Sequence, residues 1–538
     1  LSDKEHLSLL HLKTLWFIEL GDFEEAKNSA TQLLNRSRKL NDQLRELDAI
    51  ISLVRVNKKL HNLEEGFEFL QTGKDLLESC DVREDNSIKK MRATLLLQEG
   101  ILNVHKQNFE QAFEPLMESL TLRRELKDHR GIAECYSHLG FFYKYKGEYP
   151  KAVENFRKSL DLNKKIGYKK GIAGSLKSIG GYYLSQGELN KAKEHVQKSL
   201  SLIRDLIGDQ EETAQMFNLL GIISIYKGEL DKALSNFRKS VKIFEDLENQ
   251  AGRSVLLNNI GQTYSEMGEY QKARDCFEQA LEISRQEKKD SMIVEVLFNL
   301  IKYFGKSIKP EIISQYLKEM GVISQKHNKD QLVLSQKYRL SQAITLKRSE
   351  RLADKSKALS LYQQIAQEEM VWFELTVDAM LNLGDLLLYE LEVTGKKVVL
   401  TEIKELVAHL RNLAEAQQSH WLLAAIYLLE SKLALLELDL EKAQGLLTQA
   451  EQITVEKGLR KLATTITFEI EEFTSQIEKW KKLISKEASM DERIELTQIS
   501  SFIERLINRR LYHGEDEIYE YAEEAKEFIA KWRNSGSS

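Results

Sequence analysis

The chain has 538 residues, of which 42% are hydrophobic and 30% charged, but only 3 are proline, where average usage of about 5% would give roughly 27. Because proline interrupts helices and marks linkers, this shortage excludes a linker-rich, collagen-like or disordered chain and indicates helix nearly throughout. The net charge of −5 argues against a globally basic nucleic-acid binder, so the composition favours a protein partner over nucleic acid.

The cysteines and the most apolar window predict a cytoplasmic protein without membrane insertion. The cysteines lie far apart and have no CxxC spacing: Cys80, Cys135 and Cys276. That spacing excludes a disulfide framework and a cysteine-rich zinc site, and it fits a reducing compartment. Residues 421–438 are strongly apolar but include Glu430, Lys432 and Glu437, so we expect a buried helix there rather than a transmembrane span.

Weak copies of one short motif occur within residues 1–128. Its forms are GDFEEA at residues 21–26, HNLEEG at 61–66 and QNFEQA at 107–112. Each places turn residues before a hydrophobic residue and an acidic one, a pattern typical of a helix that begins after a tight turn. The first region, residues 1–128, is therefore expected to contain degenerate repeats.

Four clear copies of the motif follow in residues 129–288. They are HLGFFYKYKGEYPKA from His138, SIGGYYLSQGELNKA from Ser178, LLGIISIYKGELDKA from Leu219 and NIGQTYSEMGEYQKA from Asn259. Their first glycines are Gly140, Gly180, Gly221 and Gly261, at intervals of 40, 41 and 40 residues. A fixed period of this length marks stacked supersecondary units.

The two glycines of each copy predict two different structural roles. The first glycine falls inside a helix, where it costs about 1 kcal/mol relative to alanine, so we expect a neighbouring helix to cross there with no room for a side chain. Replacing Gly180 or Gly221 with leucine should therefore lower stability. The second glycine follows the helix and suits the left-handed position that ends it. These second glycines are Gly147, Gly187, Gly228 and Gly268.

The pattern resembles the tetratricopeptide repeat, in which a small residue stands at position 8, an aromatic at 11, glycine at 15, alanine at 20 and phenylalanine near 24. Tyr143, Tyr183 and Tyr264 match position 11, while Phe156, Phe237 and Phe277 match position 24. The long period is similar to that of Leu-Gly-Asn-type adaptors, kinesin light chains, Rap regulators, MalT-like sensor arms and uncharacterised archaeal arrays. The resemblance implies an all-α solenoid of stacked antiparallel helix pairs, wound as a right-handed superhelix.

The remaining regions are predicted to continue and then close the array. Residues 289–458 are interpreted as drifted repeats, with a bend or longer loop at residues 302–310 and at 392–400. Residues 459–533 form long amphipathic and acidic helices that are expected to cap the array, although such an end would also suit a homodimer. Residues 534–538 are predicted to be a flexible tail.

The resemblance also implies a binding face on the first helix of each pair. At 100° per residue, positions 2, 5, 9, 12 and 13 cluster on one side of this helix, which in tetratricopeptide repeats lines the concave groove. Its mixture of amides, hydroxyls, aromatics and charges suits an extended peptide or partner helix. The candidate peptide-binding residues are Glu134, Ser137, Phe141, Lys144, Tyr145, Lys177, Gln215, Asn218, Tyr226, Asn258, Gln262 and Glu266.

Two other patterns are weighed against this groove. Lys158, Lys198 and Lys239 recur at one position of the second helix. They could form a basic ridge for an acidic partner or for nucleic-acid phosphates, but a solvated face is the favoured interpretation. Cys135 and His138 stand three residues apart and could be two metal ligands or half of a nucleophilic pair, but no further cysteine or histidine lies beside them in the sequence. Incidental packing is the favoured interpretation, and no metal site is assigned.

The sequence thus predicts a scaffold or adaptor, not an enzyme. No HExxH, P-loop, GxGxxG or GxSxG motif occurs, so no catalytic residue or cofactor is assigned. The carboxylate clamp of some tetratricopeptide repeats, which holds chaperone tails, needs lysine and asparagine at positions 5 and 9, and Ser137 and Phe141 do not supply them. Two alternatives remain open: a regulatory or sensor arm of a larger signalling or transcription protein, and a self-assembling structural protein.

Overall fold

The computed structural model describes residues 2–60, 62–79, 85–106, 108–146, 148–203, 210–326, 332–368, 373–457, 459–486, 488–497 and 499. In this part of the chain, twenty-four α-helices form and no strand occurs. Consecutive helices pack against each other as antiparallel pairs. The all-α solenoid predicted from the sequence is confirmed.

The chain divides into two compact units. The first unit comprises residues 1–183, 191–219 and 327–332, and the second comprises residues 184–190, 220–326 and 333–538. The helices lying wholly or mostly in the first unit are α1 (Asp3–Leu20), α2 (Phe23–Lys39), α3 (Gln43–Lys59), α4 (Leu63–Ser79), α5 (Asn86–His105), α6 (Phe109–Glu125), α7 (His129–Tyr145), α8 (Tyr149–Lys165), α9 (Lys169–Ser185) and α10 (Leu189–Ile203). Helix α11 (Gln210–Lys227) begins in the first unit and ends in the second.

The second unit contains the remaining described helices. They are α12 (Leu230–Asp246), α13 (Gln250–Glu266), α14 (Tyr270–Gln286), α15 (Asp290–Phe304), α16 (Pro310–Lys326), α17 (Leu332–Lys347), α18 (Leu352–Gln367), α19 (Phe373–Thr394), α20 (Lys397–Ala416), α21 (His420–Leu436), α22 (Leu440–Lys457), α23 (Arg460–Ser485) and α24 (Met490–Thr497). None of the described helices is both long and apolar enough to cross a membrane.

The first glycine of each clear repeat lies where the second helix of the pair crosses it. A Cβ atom added at Gly140 would lie 2.5 Å from Phe156, one at Gly180 would lie 2.7 Å from Val196, and one at Gly261 would lie 2.9 Å from Phe277. At Gly221, the added atom would lie even closer to Phe237. Real Cβ atoms do not approach neighbours this closely. The prediction that these positions have no room for a side chain is confirmed.

The turns inside and between the pairs use left-handed residues. Gly187, Gly228 and Gly268 have φ values of 72°, 82° and 76°, which confirms the predicted role of the second glycine, while Gly147 lies outside the described residues. Between pairs, residues other than glycine take this conformation at φ near 52°, as Lys127 and Lys288 do. This left-handed residue turns the chain where tetratricopeptide repeats often place proline.

A buried serine ties the two helices of several pairs in the first unit. Its hydroxyl donates to an alanine carbonyl 26 residues earlier in the sequence. The bonds run from Ser119 to Ala93 (2.6 Å), from Ser159 to Ala133 (2.8 Å) and from Ser199 to Ala173 (2.7 Å). Since both groups are buried, each bond fixes the second helix along the axis of the first.

The regions predicted to be irregular are short breaks between helices. Helix α15 ends at Phe304 and α16 begins at Pro310, while α19 ends at Thr394 and α20 begins at Lys397. At the first break, Arg348 donates to the carbonyl oxygens of Ile301 (2.9 Å) and Lys302 (3.0 Å), which closes the end of α15. Of the predicted terminal helices, α23 and α24 are described, whereas residues 500–538 lie outside the described part.

Candidate functional site

The predicted binding face in the first unit is formed by the odd-numbered helices. We call the surface at positions 2, 5, 9, 12 and 13 of α3, α5 and α7, with positions 2, 5 and 9 of α9 and positions 2 and 5 of α11, the inner face. On it, Glu134, Ser137 and Phe141 of α7 are half-buried, while Lys144 and Tyr145 are exposed. The Phe141 ring packs edge-on against Phe156 at 5.2 Å between centroids. This contact fixes the aromatic ring while leaving part of it accessible.

The predicted residues Lys177 of α9 and Gln215 of α11 form a hydrogen bond with each other. The Lys177 ammonium donates to Gln215 Oε1 (2.7 Å) and pairs with Glu212, and Gln215 Nε2 donates to Glu211 Oε1 (3.2 Å). Burial acts to raise the pKa of Glu212, but the charges of Lys177, Lys59 and Lys170 outweigh it and hold that pKa below its usual range. The residues thus join α9 to α11 on the inner face.

The same network reaches α3. Lys59 Nζ lies 3.6 Å from Glu211 Oε2, although these residues belong to helices separated by three complete pairs in the sequence. Asn218, another predicted residue of the first unit, is half-buried on α11. Side chains of α3 and α11 therefore meet on the inner face, which the periodicity of a single helix could not predict.

Helices α3, α5 and α7 contribute a cluster of basic side chains that the sequence patterns did not predict. Arg55 and Lys58 come from positions 9 and 12 of α3, His105 from α5 and His138 from α7. Neither Arg55 nor Lys58 forms a hydrogen bond or ion pair with any described residue. Burial, and then the charges of Lys59 and Arg55, lower the pKa of Lys58 to about 8, against a smaller opposing effect of Glu134.

His138 experiences the same positive charge. Burial lowers its pKa to about 3, and the neighbouring Lys58, His105, Arg123 and Arg55 add to the effect. The imidazole is therefore neutral at physiological pH and adds no positive charge to the cluster. Extending the repeat register into α3 would have placed Arg55 and Lys58 on the inner face, but the repeat there lacks both glycines.

Glu134 is the carboxylate whose charge acts on Lys58, and the same carboxylate also faces Arg123. Its carboxylate stands 3.8 Å from Arg123 Nη2, and Arg123 is itself paired with Asp128 at 2.9 Å. The Glu134 side chain is 41% exposed. It therefore moderates the charge of the cluster without forming a close ion pair with Arg55 or Lys58.

The other predicted residues lie in the second unit. Tyr226, Gln262 and Glu266 are half-buried. Asn258 differs from them, because it is only 3% exposed and its Oδ1 accepts a hydrogen bond from Asn299 Nδ2 at 2.9 Å. Asn258 is therefore buried against α15 and not accessible at the groove, contrary to the prediction.

The structure also shows the surroundings of the lysine ridge and of Cys135. Lys158 and Lys198 each pair with the glutamate four residues earlier, Glu154 and Glu194, at 2.6 Å. These pairs reduce the charge of the basic ridge. Cys135 is fully buried with its Sγ 3.4 Å from Ser119 Oγ, and burial raises its pKa to about 11, which disfavours a reactive thiolate.

Comparisons with known proteins agree with the repeat architecture. Residues 91–165, 171–246 and 212–286 match the tetratricopeptide repeat family. No curated protein sequence matches this chain.

Several solved structures match parts of this chain. BtubC (BKLC) from P. vanneervenii is 20% identical, with 42% of this chain and 92% of that one covered and a TM-score of 0.37. A Rap protein complexed with Competence and Sporulation Factor is 14% identical over 71% of this chain and 99% of that one, with a TM-score of 0.47. Aspartyl phosphate phosphatase F from Bacillus subtilis is 14% identical over 68% and 94%, with a TM-score of 0.44. The matches to the tetratricopeptide repeat family lie in residues 91–165 and 171–286, where the predicted glycines and alanines recur.

Proposed function

We propose that the first unit binds an extended peptide segment of a partner protein along its inner face, and that the protein acts as a scaffold or adaptor without chemistry of its own. The observation that carries the proposal is the open surface of α9. Gly174 and Gly181 stand two helical turns apart at positions 2 and 9, and a Cβ added at either would have no atom within 4 Å. A peptide backbone can approach a helix closely where side chains are missing.

Groups suited to a peptide flank this open surface. Phe141 and Tyr145 of α7 provide aromatic area, and Ser137 and Asn218 provide hydroxyl and amide groups. Aromatic rings contribute contact area at binding surfaces, while amides and hydroxyls hydrogen-bond a peptide backbone.

The proposal includes the second unit and the setting of the protein. In the second unit, the candidates are the half-buried residues Tyr226, Gln262 and Glu266, at the corresponding positions of its own helices. We propose a cytoplasmic setting, in keeping with the unpaired thiols of Cys135 and Cys276.

A glycine substitution provides a direct test. Gly181→Gln places a side chain on the open surface without a clash, and it replaces glycine by a better helix former, so the fold should be retained or slightly stabilised. Gly445→Gln in α22 is the matched control, since Gly445 is also helical with nothing within 4 Å. Peptides would be selected from a phage-displayed random library on the wild-type chain and measured by fluorescence anisotropy.

We expect selected peptides to bind Gly181→Gln at least about tenfold more weakly than the wild type, a difference of about 1.4 kcal/mol, and to bind Gly445→Gln as the wild type does. Circular dichroism would verify that both variants remain folded. Failure to enrich any peptide, or equal binding to both variants, would overturn the proposal.

A sensor arm of a larger protein would use the same face. The peptide would then be a signal that changes the activity of another domain. The experiment with Gly181→Gln tests the binding surface that both functions require.

A further inference from the structure

We infer that Arg55 and Lys58, together with His105 and His138, form a pocket on the inner face that binds a carboxylate group of the peptide. This inference rests on the proposed function and specifies which ligand chemistry the inner face selects. The pocket differs in position from the carboxylate clamp, because its cations stand at positions 9 and 12 of α3 rather than at position 5.

The first step of the argument is that these cations lack a counter-ion in the described part of the protein. Several other basic residues of the first unit that are at least half-buried are paired: Lys177 with Glu212, Arg123 with Asp128, and Lys74 with Glu99. Arg55 and Lys58 are half-buried and have no such partner among the described residues. A partly desolvated cation is unfavourable unless an anion accompanies it.

The second step is the charge that the ligand must carry. Arg55 and Lys58 supply two positive charges below pH 8, Glu134 supplies one negative charge, and His138 is neutral. Their sum is positive, so the pocket favours an anion, and a single carboxylate group needs only the donors that Arg55 and Lys58 supply. The guanidinium of Arg55 can donate two parallel hydrogen bonds to both carboxylate oxygens, while Lys58 adds a third donor.

The third step is the location of the cluster. His138 lies one helical turn before Phe141, and their ring centroids are 6.2 Å apart. A peptide that packs a side chain against Phe141 therefore passes next to His138. The carboxylate would come either from an aspartate or glutamate side chain or from the C-terminus of the peptide.

Acylation of Lys58 tests the pocket whatever the partner protein is. Because its pKa is lowered to about 8, Lys58 should react with acetic anhydride near pH 7.5 much faster than Lys288, an exposed residue of the second unit. A bound carboxylate stabilises the ammonium form and should slow this reaction. Peptide mapping by mass spectrometry measures the labelling rate at each lysine separately.

Three tripeptides serve as probes: acetyl-Ala-Glu-Ala-amide, acetyl-Ala-Gln-Ala-amide and acetyl-Ala-Ala-Ala with a free C-terminus. We expect at least one probe with a carboxylate to slow labelling of Lys58 by about fivefold or more relative to the Gln probe, with no change at Lys288. Protection by the Glu probe identifies a side-chain carboxylate as the ligand, and protection by the third probe identifies the C-terminus. Arg55→Gln should abolish protection, whereas Arg92→Gln, at an exposed position of α5, should preserve it.

Equal labelling of Lys58 with all three probes, or protection that survives in Arg55→Gln, would overturn the carboxylate pocket. Such a result would leave peptide binding untouched if Gly181→Gln still weakened the selected peptides. Conversely, protection of Lys58 without any selected peptide would overturn the proposed peptide groove while retaining a site for small carboxylates.

Discussion

Two kinds of half-buried lysine occur in the molecule, and residues of the second and the first unit illustrate them. In the second unit, Lys302 of α15 pairs with Asp378 of α19 at 2.8 Å, and Lys347 pairs with Asp385 at 2.5 Å. In the first unit, Lys58 lies among Arg55, Lys59 and His138 with no close carboxylate among the residues that the structure describes. Ion pairs inside the second unit hold helices together, whereas Arg55 and Lys58 make no such contribution to the first. This difference supports a ligand-binding role for the basic groups of the first unit.

The largest expected effect comes from removing one lysine of each kind. Lys302→Met should lower the free energy of unfolding by about 3 kcal/mol, because Asp378 would remain nearly buried without a counter-ion. Lys58→Met keeps a similar stem but removes an unpaired charge, so it should leave stability unchanged or raise it by up to about 1 kcal/mol. Urea unfolding followed by circular dichroism measures both.

Both variants replace the same residue type by the same residue, so each is the control of the other. If Lys58→Met destabilised the protein as much as Lys302→Met, Lys58 would have a structural partner and the contrast between the units would be wrong.

The pH dependence of stability sharpens the same comparison. The pKa of Lys58 is lowered in the folded chain from 10.5 to about 8, so the unfolded chain binds more protons between those values. Stability contributed by this residue therefore rises as the pH increases from about 8 towards 10.5. After allowance for solvent screening, the expected gain is on the order of 1–2 kcal/mol.

The measurement is the wild-type melting temperature across this pH range relative to that of Lys58→Met. The difference between the two curves removes the contributions that both proteins share and reports the effect of Lys58. Curves that remain parallel from pH 8 to 10 would contradict a lowered pKa.

The repeat architecture was predictable because its determinants are local. A glycine at a helix crossing and a glycine at a helix end recur every 40 residues or so, and each acts through its immediate surroundings. Gly180 and Gly187 thus have the predicted roles. The closing of α15 by Arg348 was not predictable, because its two partners are far apart in the sequence and the repeat has drifted there.

The inner face was predictable only as a set of positions on each helix. Helical periodicity predicts the face of the helix on which Lys177 and Asn258 lie, but not which residues of other helices contact them. Lys177 meets Glu212 because α9 and α11 come together, and Asn258 is covered by Asn299 of α15. Arg55 and Lys58 were missed since the repeat containing them lacks the glycines that define the register.

The smallest expected change in stability comes from a buried serine that joins the two helices of a pair. Ser199 is fully buried and joins α10 to α9 through the carbonyl of Ala173 at 2.7 Å. In the second unit, the equivalent position 26 residues after Ser254 is Ala280, and the nearby buried Ser284 instead donates to the Ala280 carbonyl of its own helix. Ser199→Ala should therefore lower the free energy of unfolding by about 1 kcal/mol, the net worth of a buried hydrogen bond.

Ser284→Ala is the matched control, since it removes an equally buried hydroxyl whose bond links no second helix. Because this hydrogen bond lies within one helix, we expect Ser284→Ala to lower the free energy of unfolding by no more than about 0.5 kcal/mol. Urea unfolding measures both changes. Equal losses would mean that the interhelix bond adds nothing beyond burial of the hydroxyl. A larger loss for Ser199→Ala would show that the hydrogen bond between the two helices contributes to the stability of the pair.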